Sequence, residues 1–177
     1  MTGTIGQLKE CKSSFCFSKT ALVGKDEIPL RNLARKDYLF FKLYFAALYL
    51  EDKIDGIEQL LGEVPKKLVF RYLRNIDGAD VIKAADEVLK QNPAISLAPL
   101  QSRIDEINKA YANGIKEGDV FELDYIPSVG TMLTINGQVF CTVSGSDFAK
   151  AYFGIWLSKH PLSEDFRDAL IVKELVR

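Results

Sequence analysis

The chain has 177 residues, of which 47% are hydrophobic, and a formal net charge of −1. This length fills one hydrophobic core and is short for two, so we predict a single domain over residues 1–177. Because the charge is near neutral and the basic residues are scattered, no nucleic-acid partner is predicted.

Cysteine and histidine usage indicates no metal site. The three cysteines, Cys11, Cys16 and Cys141, form no CxxC motif, and the single histidine leaves no tetrahedral zinc set. We therefore predict no cofactor and interpret the cysteines as buried or idle thiols. A redox pair of Cys11 with Cys16 would require a strand-edge or turn geometry that the sequence does not indicate.

The N-terminal residues MTGTIGQLKECKSSF lack the apolar core of a signal peptide. We expect a cytoplasmic protein, or a periplasmic one if an export signal has been removed.

The first third of the chain has the composition of β-strands. Residues 14–22 mix β-branched and aromatic side chains, residues 24–26 predict a turn, and residues 28–32 continue as strand. The apolar run LFFKLYFAALYL follows at residues 39–50. It is shorter than the roughly 20 residues that cross a bilayer, and Lys42 interrupts it, so we predict a long buried strand and no transmembrane segment.

Alternation along this strand divides its side chains between two faces. One face is wholly apolar, and the other carries Lys42 and Tyr44. Arg35 lies just upstream. Together they predict an apolar cavity with a small cationic end, suited to an anionic amphiphile or a phenolate.

After this strand, the sequence predicts a helix, a second strand and two further helices. Residues 54–61 have helical spacing and residues 67–73 form a second strand. Asp77 is predicted to cap a helix that ends before Pro93, and the next helix ends at Asn113-Gly114.

From Asp119 onward, apolar and polar residues alternate with the period of two that is typical of a strand. Glu122 and Asp124 are predicted to lie on an exposed face of this strand. Asn136-Gly137 predicts a type I′ hairpin.

Two helices are predicted to close the chain. Ser146 or Asp147 is predicted to cap one, and residues 163–165 open the last. This grouping of strands and helices favours an α+β fold, with helices on one face of an antiparallel sheet.

Five segments, in order, carry a family resemblance: LRNLAR, FFKLYFAALYLED, VPKKLVFRYLRNI, EGDVFELDYIPSVGTMLTINGQ and GSDFAKAYFGIWL. They resemble the bacterial branch of the chalcone isomerase-like family over residues 23–171. The resemblance implies an open-faced β-sandwich, a large antiparallel sheet covered by a layer of helices. The family includes plant enzymes that close chalcones to flavanones and relatives that bind fatty acids.

The resemblance also implies site residues. Arg35 matches the strand arginine that holds the substrate phenolate in the enzymes. Tyr44 stands where the plant enzymes have a catalytic threonine and where the fatty-acid-binding relatives have a tyrosine that grips a carboxylate with the arginine. The hydroxyl-bearing helix residue of the enzymes falls on Ile155, beside Trp156. No tyrosine lies between Tyr72 and Tyr111, where the second phenol of the enzymes is expected.

Two functions follow as hypotheses. The first is a binder of a fatty acid or similar anionic amphiphile, non-catalytic or weakly catalytic, with Arg35, Tyr44, Ile155 and Trp156 around the ligand. The alternative is an isomerase, an intramolecular lyase for a chalcone-like or other enone substrate, in which Arg35 stabilises an oxyanion and Tyr44 supplies a hydrogen bond or proton.

The alternative for each of these residues is a purely structural role. For the protein as a whole, a structural role is a third and weaker hypothesis. Arg35 alone reads as a partly exposed strand arginine paired with an acid, and Tyr44 as a core aromatic. The predicted partner is a small amphipathic or phenolic ligand, and the sequence identifies no protein partner.

Overall fold

The computed structural model describes residues 9–12 and 15–173. Five α-helices and nine strands are described, with two 3₁₀ turns at Ala98–Leu100 and Lys109–Tyr111. The strands are β1 Lys9–Lys12, β2 Phe15–Ser18, β3 Thr20–Val23, β4 Asp26–Tyr38, β5 Phe41–Leu50, β6 Lys66–Tyr72, β7 Val120–Ile126, β8 Gly130–Ile135 and β9 Gln138–Val143. The helices are α1 Gly56–Leu60, α2 Gly78–Gln91, α3 Gln101–Asn108, α4 Ser146–Leu157 and α5 Glu164–Ile171.

Seven strands form one antiparallel sheet in chain order, from β3 at one edge to β9 at the other. Each strand pairs with its neighbours in sequence, although helices interrupt the chain between β6 and β7. Strands β1 and β2 form a separate hairpin. The predicted α+β fold with a large antiparallel sheet is confirmed.

The sheet has two buried faces. On the first, called here the helix face, Tyr44, Ala46 and Leu48 pack in the main hydrophobic core with residues of α3, α4 and α5. On the second face, Phe45 and Tyr49 join a smaller core that includes Phe17 and Phe15 from β2. The predicted alternation of β5 is confirmed for these residues.

The predicted N-terminal caps are observed at two helices, and a different cap is observed at a third. The Asp77 side chain accepts a hydrogen bond from the amide of Ala79, and Ser163 caps α5. The cap of α4 is Gly145, at φ 103°, instead of Ser146 or Asp147. Arg103 binds both carboxylate oxygens of Asp147 at 2.8 Å, which lowers the pKa of Asp147 to about 2.

Two expectations about polar residues are wrong. Asp124 is only 4% exposed, because it lies on the second face, where Lys67 bridges it to Glu122. Burial is the main cause that raises the pKa of Asp124 to about 6. Cys11 and Cys16 are not idle thiols, because they lie opposite each other in the β1–β2 hairpin and form a disulfide. Cys141 is a free thiol.

The predicted hairpin at Asn136-Gly137 is confirmed. Asn136 and Gly137 have φ angles of 49° and 83°, and they connect β8 to β9. The Asn136 side chain also accepts a hydrogen bond from the Val120 amide. The turn therefore fixes both the hairpin and the start of β7.

Replacing Gly137 with valine is expected to lower the free energy of unfolding by about 1 to 3 kcal/mol, since a β-branched residue is strained at positive φ. Gly137→Asn is the matched control, because asparagine tolerates this conformation, and it should cost less than about 1 kcal/mol. Urea denaturation of the two variants measures the difference. Equal stabilities would contradict the strain argument.

Candidate functional site

Arg35 and Tyr44 lie on opposite faces of the sheet. Tyr44 is 6% exposed and packs on the helix face. Arg35 pairs with Phe45 in the register, on the second face, and its guanidinium makes two hydrogen bonds with exposed Asp37 at 2.7 and 2.8 Å. The prediction that Arg35 and Tyr44 share one cavity is wrong. Arg35 is instead a partly exposed strand arginine paired with an acid.

A β-bulge is the physical reason for this separation. At the hairpin tip Asp37 lies opposite Lys42, and a regular ladder from there would place Arg35 opposite Tyr44, on one face. The register instead shifts between Lys36 and Asp37, with Leu43 as the extra residue of β5. Because side chains alternate along a strand, a shift of one residue moves Arg35 to the other face.

Tyr44 and Trp156 form the polar centre of the candidate site. The Trp156 indole Nε1 donates a hydrogen bond to the Tyr44 hydroxyl at 3.3 Å. Ile155, the neighbouring residue of α4, is buried in the helix-face core. Three of the four predicted site residues therefore lie in this core or at its margin, and two of them are in direct contact.

A cluster of aromatic side chains surrounds this pair. The ring of Tyr44 makes edge contacts with Phe70, Tyr72 and Phe166, at centroid distances of 5.4 to 5.6 Å. Trp156 packs against Phe70 at 4.9 Å. Trp156 is partly exposed, so the cluster reaches the surface at the end of α4.

Sequence reasoning missed a second pair of phenols in the same core. The hydroxyls of Tyr111 and Tyr152 lie 3.3 Å apart, and both side chains are buried. Tyr152 also contacts Trp156, with ring centroids 5.9 Å apart. The helical spacing that places Tyr111 and Tyr152 on the apolar faces of their helices was the available signal. We define Tyr44, Tyr111, Tyr152 and Trp156 as the phenol–indole cluster.

The cluster holds more hydrogen-bond donors than it uses. Its members carry one polar proton each, and the two hydrogen bonds among them consume two of the four. Within the described part of the chain, the Tyr44 hydroxyl accepts a bond and has no acceptor for its own proton. Burial raises the pKa of Tyr44, Tyr111 and Tyr152. The phenols therefore stay protonated and available as donors.

Arg31 is the buried arginine on the helix face, and the sequence did not distinguish it from Arg35. A second register shift, between Leu30 and Asn32, makes Arg31 the extra residue of β4. Its guanidinium donates to the carbonyls of Glu51 and Ile54 at 2.8 and 3.0 Å, and its buried Nε has no partner among the described residues. It lies at the Leu48–Leu50 end of β5, away from Tyr44.

No helix among the described residues is long and apolar enough to cross a membrane. A comparison with curated protein sequences found no match.

Comparison with solved structures finds the same fold in a plant protein. The crystal structure of a fatty-acid binding protein from Arabidopsis thaliana superimposes with a TM-score of 0.72. The alignment covers 93% of this chain and 96% of the plant protein, at 10% sequence identity. At this identity the likeness concerns the fold.

The model of a protein family described as chalcone isomerase-like matches residues 13–171. This range includes the whole antiparallel sheet and all five helices. The protein therefore belongs to the chalcone isomerase-like family.

Proposed function

We propose that the protein binds a fatty acid or a similar anionic amphiphile in the helix-face core, with the Tyr44 hydroxyl on the head group. This proposal rests on the hydroxyl proton of Tyr44, which has no hydrogen-bond acceptor among the described residues. A buried donor without an acceptor costs about 1 to 3 kcal/mol, and a carboxylate oxygen would satisfy it.

The charge state of the cluster suits an anionic acceptor. The raised pKa of Tyr44 and of the Tyr111–Tyr152 pair keeps all three phenols neutral near pH 7. A carboxylate only accepts hydrogen bonds, and a charge-assisted bond from a neutral phenol is stronger than one between neutral groups. Within the described ranges, one donor at Tyr44 and one in the Tyr111–Tyr152 pair lack an acceptor, which favours such a ligand.

The surroundings of Tyr44 suit an acyl chain. Its ring neighbours Phe70 and Phe166 belong to a continuous apolar core that extends along the sheet under α4 and α5. Each buried methylene of an acyl chain contributes about 0.8 kcal/mol in such surroundings. Partly exposed Trp156 marks the side from which a ligand would enter. The family and the fatty-acid-binding function of the plant neighbour agree with this assignment.

The isomerase alternative has less support. Arg35, the residue expected to stabilise an oxyanion, is ion-paired with Asp37 on the opposite face of the sheet. The raised pKa of Tyr44 also makes the phenol a weak acid, and therefore a poor source of the proton that the isomerase alternative assigns to it.

Tyr44→Phe is expected to weaken palmitate binding by about ten- to a hundredfold, because it removes one charge-assisted hydrogen bond and keeps the ring. Tyr38→Phe is the matched control, since Tyr38 is 63% exposed and on the hairpin tip. Titration calorimetry on delipidated protein measures both affinities. Unchanged binding by the Tyr44 variant would remove this hydroxyl from the proposed site.

The purified protein is expected to show no chalcone cyclisation above the spontaneous rate, and Arg35→Ala should leave that rate unchanged. The reason is the position of Arg35 outside the cluster. Absorbance of a chalcone followed with and without protein provides the measurement. A turnover of about 10 per second, ordinary for an enzyme, would favour the isomerase.

A further inference from the structure

The β4–β5 hairpin ends in an apolar tip. Tyr38, Leu39, Phe40 and Phe41 are 63%, 75%, 99% and 51% exposed, although all four are large hydrophobic or aromatic residues. They are consecutive in sequence. Single exposed apolar residues are common on protein surfaces, whereas a contiguous set of this kind marks an interaction site.

The tip projects beyond the sheet. Among the described residues, β3 pairs with β4 only through residues 26–29, and β6 pairs with β5 only from Tyr44 onward. Within the described part of the chain, residues 37–38 and 41–42 pair only with each other. Leu39 holds the two-residue turn at φ 53°, which is uncommon for leucine. The chain thus maintains an apolar residue at a position better suited to glycine or asparagine.

Basic side chains surround the tip. Arg35, Lys36, Lys42 and Arg74 carry four positive charges, against the single negative charge of Asp37. The Arg74 guanidinium lies 4.1 Å from the centroid of the Phe41 ring. Lys42 is exposed and lies opposite Asp37 in the hairpin. An apolar tip with cationic side chains behind it matches a bilayer surface, in which acyl chains lie beneath anionic head groups.

We propose that residues 38–41 insert into the interface of an anionic lipid bilayer, with Lys36, Lys42 and Arg74 on the head groups. The tip is convex and narrow, which suits insertion between lipids better than contact with a flat protein surface. Aromatic rings are favoured at the depth of the head groups, and lysine and arginine reach from there to the phosphates. This proposal is independent of ligand binding at Tyr44.

Sedimentation with vesicles tests the proposal. The protein should bind vesicles of phosphatidylcholine with about one third phosphatidylserine, and bind pure phosphatidylcholine vesicles at least about tenfold more weakly. The double substitution Leu39→Asn with Phe40→Ser should weaken binding to the anionic vesicles by about tenfold or more, because it removes the inserted apolar surface. Asparagine preserves the positive φ at residue 39.

Two further variants separate the contributions. Lys42→Gln should weaken binding to anionic vesicles by about fivefold and leave binding to neutral vesicles unchanged. Phe140→Ser is the matched control, since Phe140 is 46% exposed on β9 and distant in sequence from the hairpin. Its binding should equal that of the unchanged protein. Circular dichroism of each variant verifies that the fold is retained.

Three results would overturn the proposal. These are no binding to anionic vesicles, equal binding by the Leu39→Asn/Phe40→Ser variant, and equal loss in Phe140→Ser. Analytical ultracentrifugation tests the alternative that the tip mediates self-association of the protein. If the unchanged protein self-associates and the double variant is monomeric without any vesicle binding, the tip contacts a second copy of the chain instead of a membrane.

Discussion

Replacing Arg31 with alanine is expected to lower the free energy of unfolding by about 3 kcal/mol, whereas Arg35→Ala should lower it by less than about 1 kcal/mol. Arg31 is 8% exposed and donates to the carbonyls of Glu51, Ile54 and Ile171. It thus ties the loop after β5 and the last turn of α5 to β4. Among the residues that the structure describes, Arg35 makes only an exposed ion pair with Asp37.

The cost at Arg31 arises because alanine leaves buried carbonyls without a donor. Arg31→Lys should recover only part of the loss, since an ammonium group cannot reproduce the planar guanidinium contacts. Guanidinium chloride denaturation of the three variants gives the order of stabilities. A larger loss in Arg35→Ala than in Arg31→Ala would contradict the assignment of the two arginines.

The stability of the protein is expected to rise by about 2 kcal/mol between about pH 7 and pH 9 because of Lys66. Lys66 is 1% exposed, and its Nζ donates to the carbonyls of Gly62 and Val64 at 2.9 Å. The ammonium also lies 4.3 Å from the ring centroid of Tyr125. No carboxylate among the described residues forms an ion pair with Lys66. Burial lowers the pKa of Lys66 to about 7.

The direction follows from proton binding in the two states. An unfolded lysine keeps its proton up to its ordinary pKa of about 10.4, whereas the folded protein releases it above about pH 7. The unfolded state therefore binds more protons between these values, so raising the pH favours the folded state. Lys66→Met, which keeps an unbranched apolar stem, should lack this rise. Urea denaturation at the two pH values measures it, and an identical rise in both proteins would contradict the role of Lys66.

Much of the fold could be predicted from local signals. The Asn136-Gly137 turn, the Asp77 and Ser163 caps and the alternating faces of β5 each depend on a few consecutive residues. Such features are set by backbone conformation and burial, which the identity of neighbouring residues determines. The antiparallel sheet with helices on one face was predicted from the order of the strand and helix patterns along the chain.

The pairing within the candidate site could not be predicted in the same way. Two bulges, at Arg31 in β4 and at Leu43 in β5, decide which arginine lies on the helix face. A bulge depends on the packing of both strands, so no local motif in LRNLAR distinguishes Arg31 from Arg35. The disulfide between Cys11 and Cys16 likewise depends on the register of the β1–β2 hairpin. Tyr44 was identified from the alternation of β5 together with the family resemblance, and Trp156 from the resemblance, which placed it beside Ile155.

The proposed ligand class is tested most directly by comparing palmitate with its methyl ester in titration calorimetry on the delipidated protein. The free acid should bind about tenfold or more tightly, because the carboxylate accepts the proton of Tyr44 more strongly than a neutral ester does. Tyr44→Phe should reduce this preference, since it removes the donor. Equal affinity for acid and ester, or no binding of either, would contradict the assignment of the phenol–indole cluster as the head-group site of an anionic amphiphile.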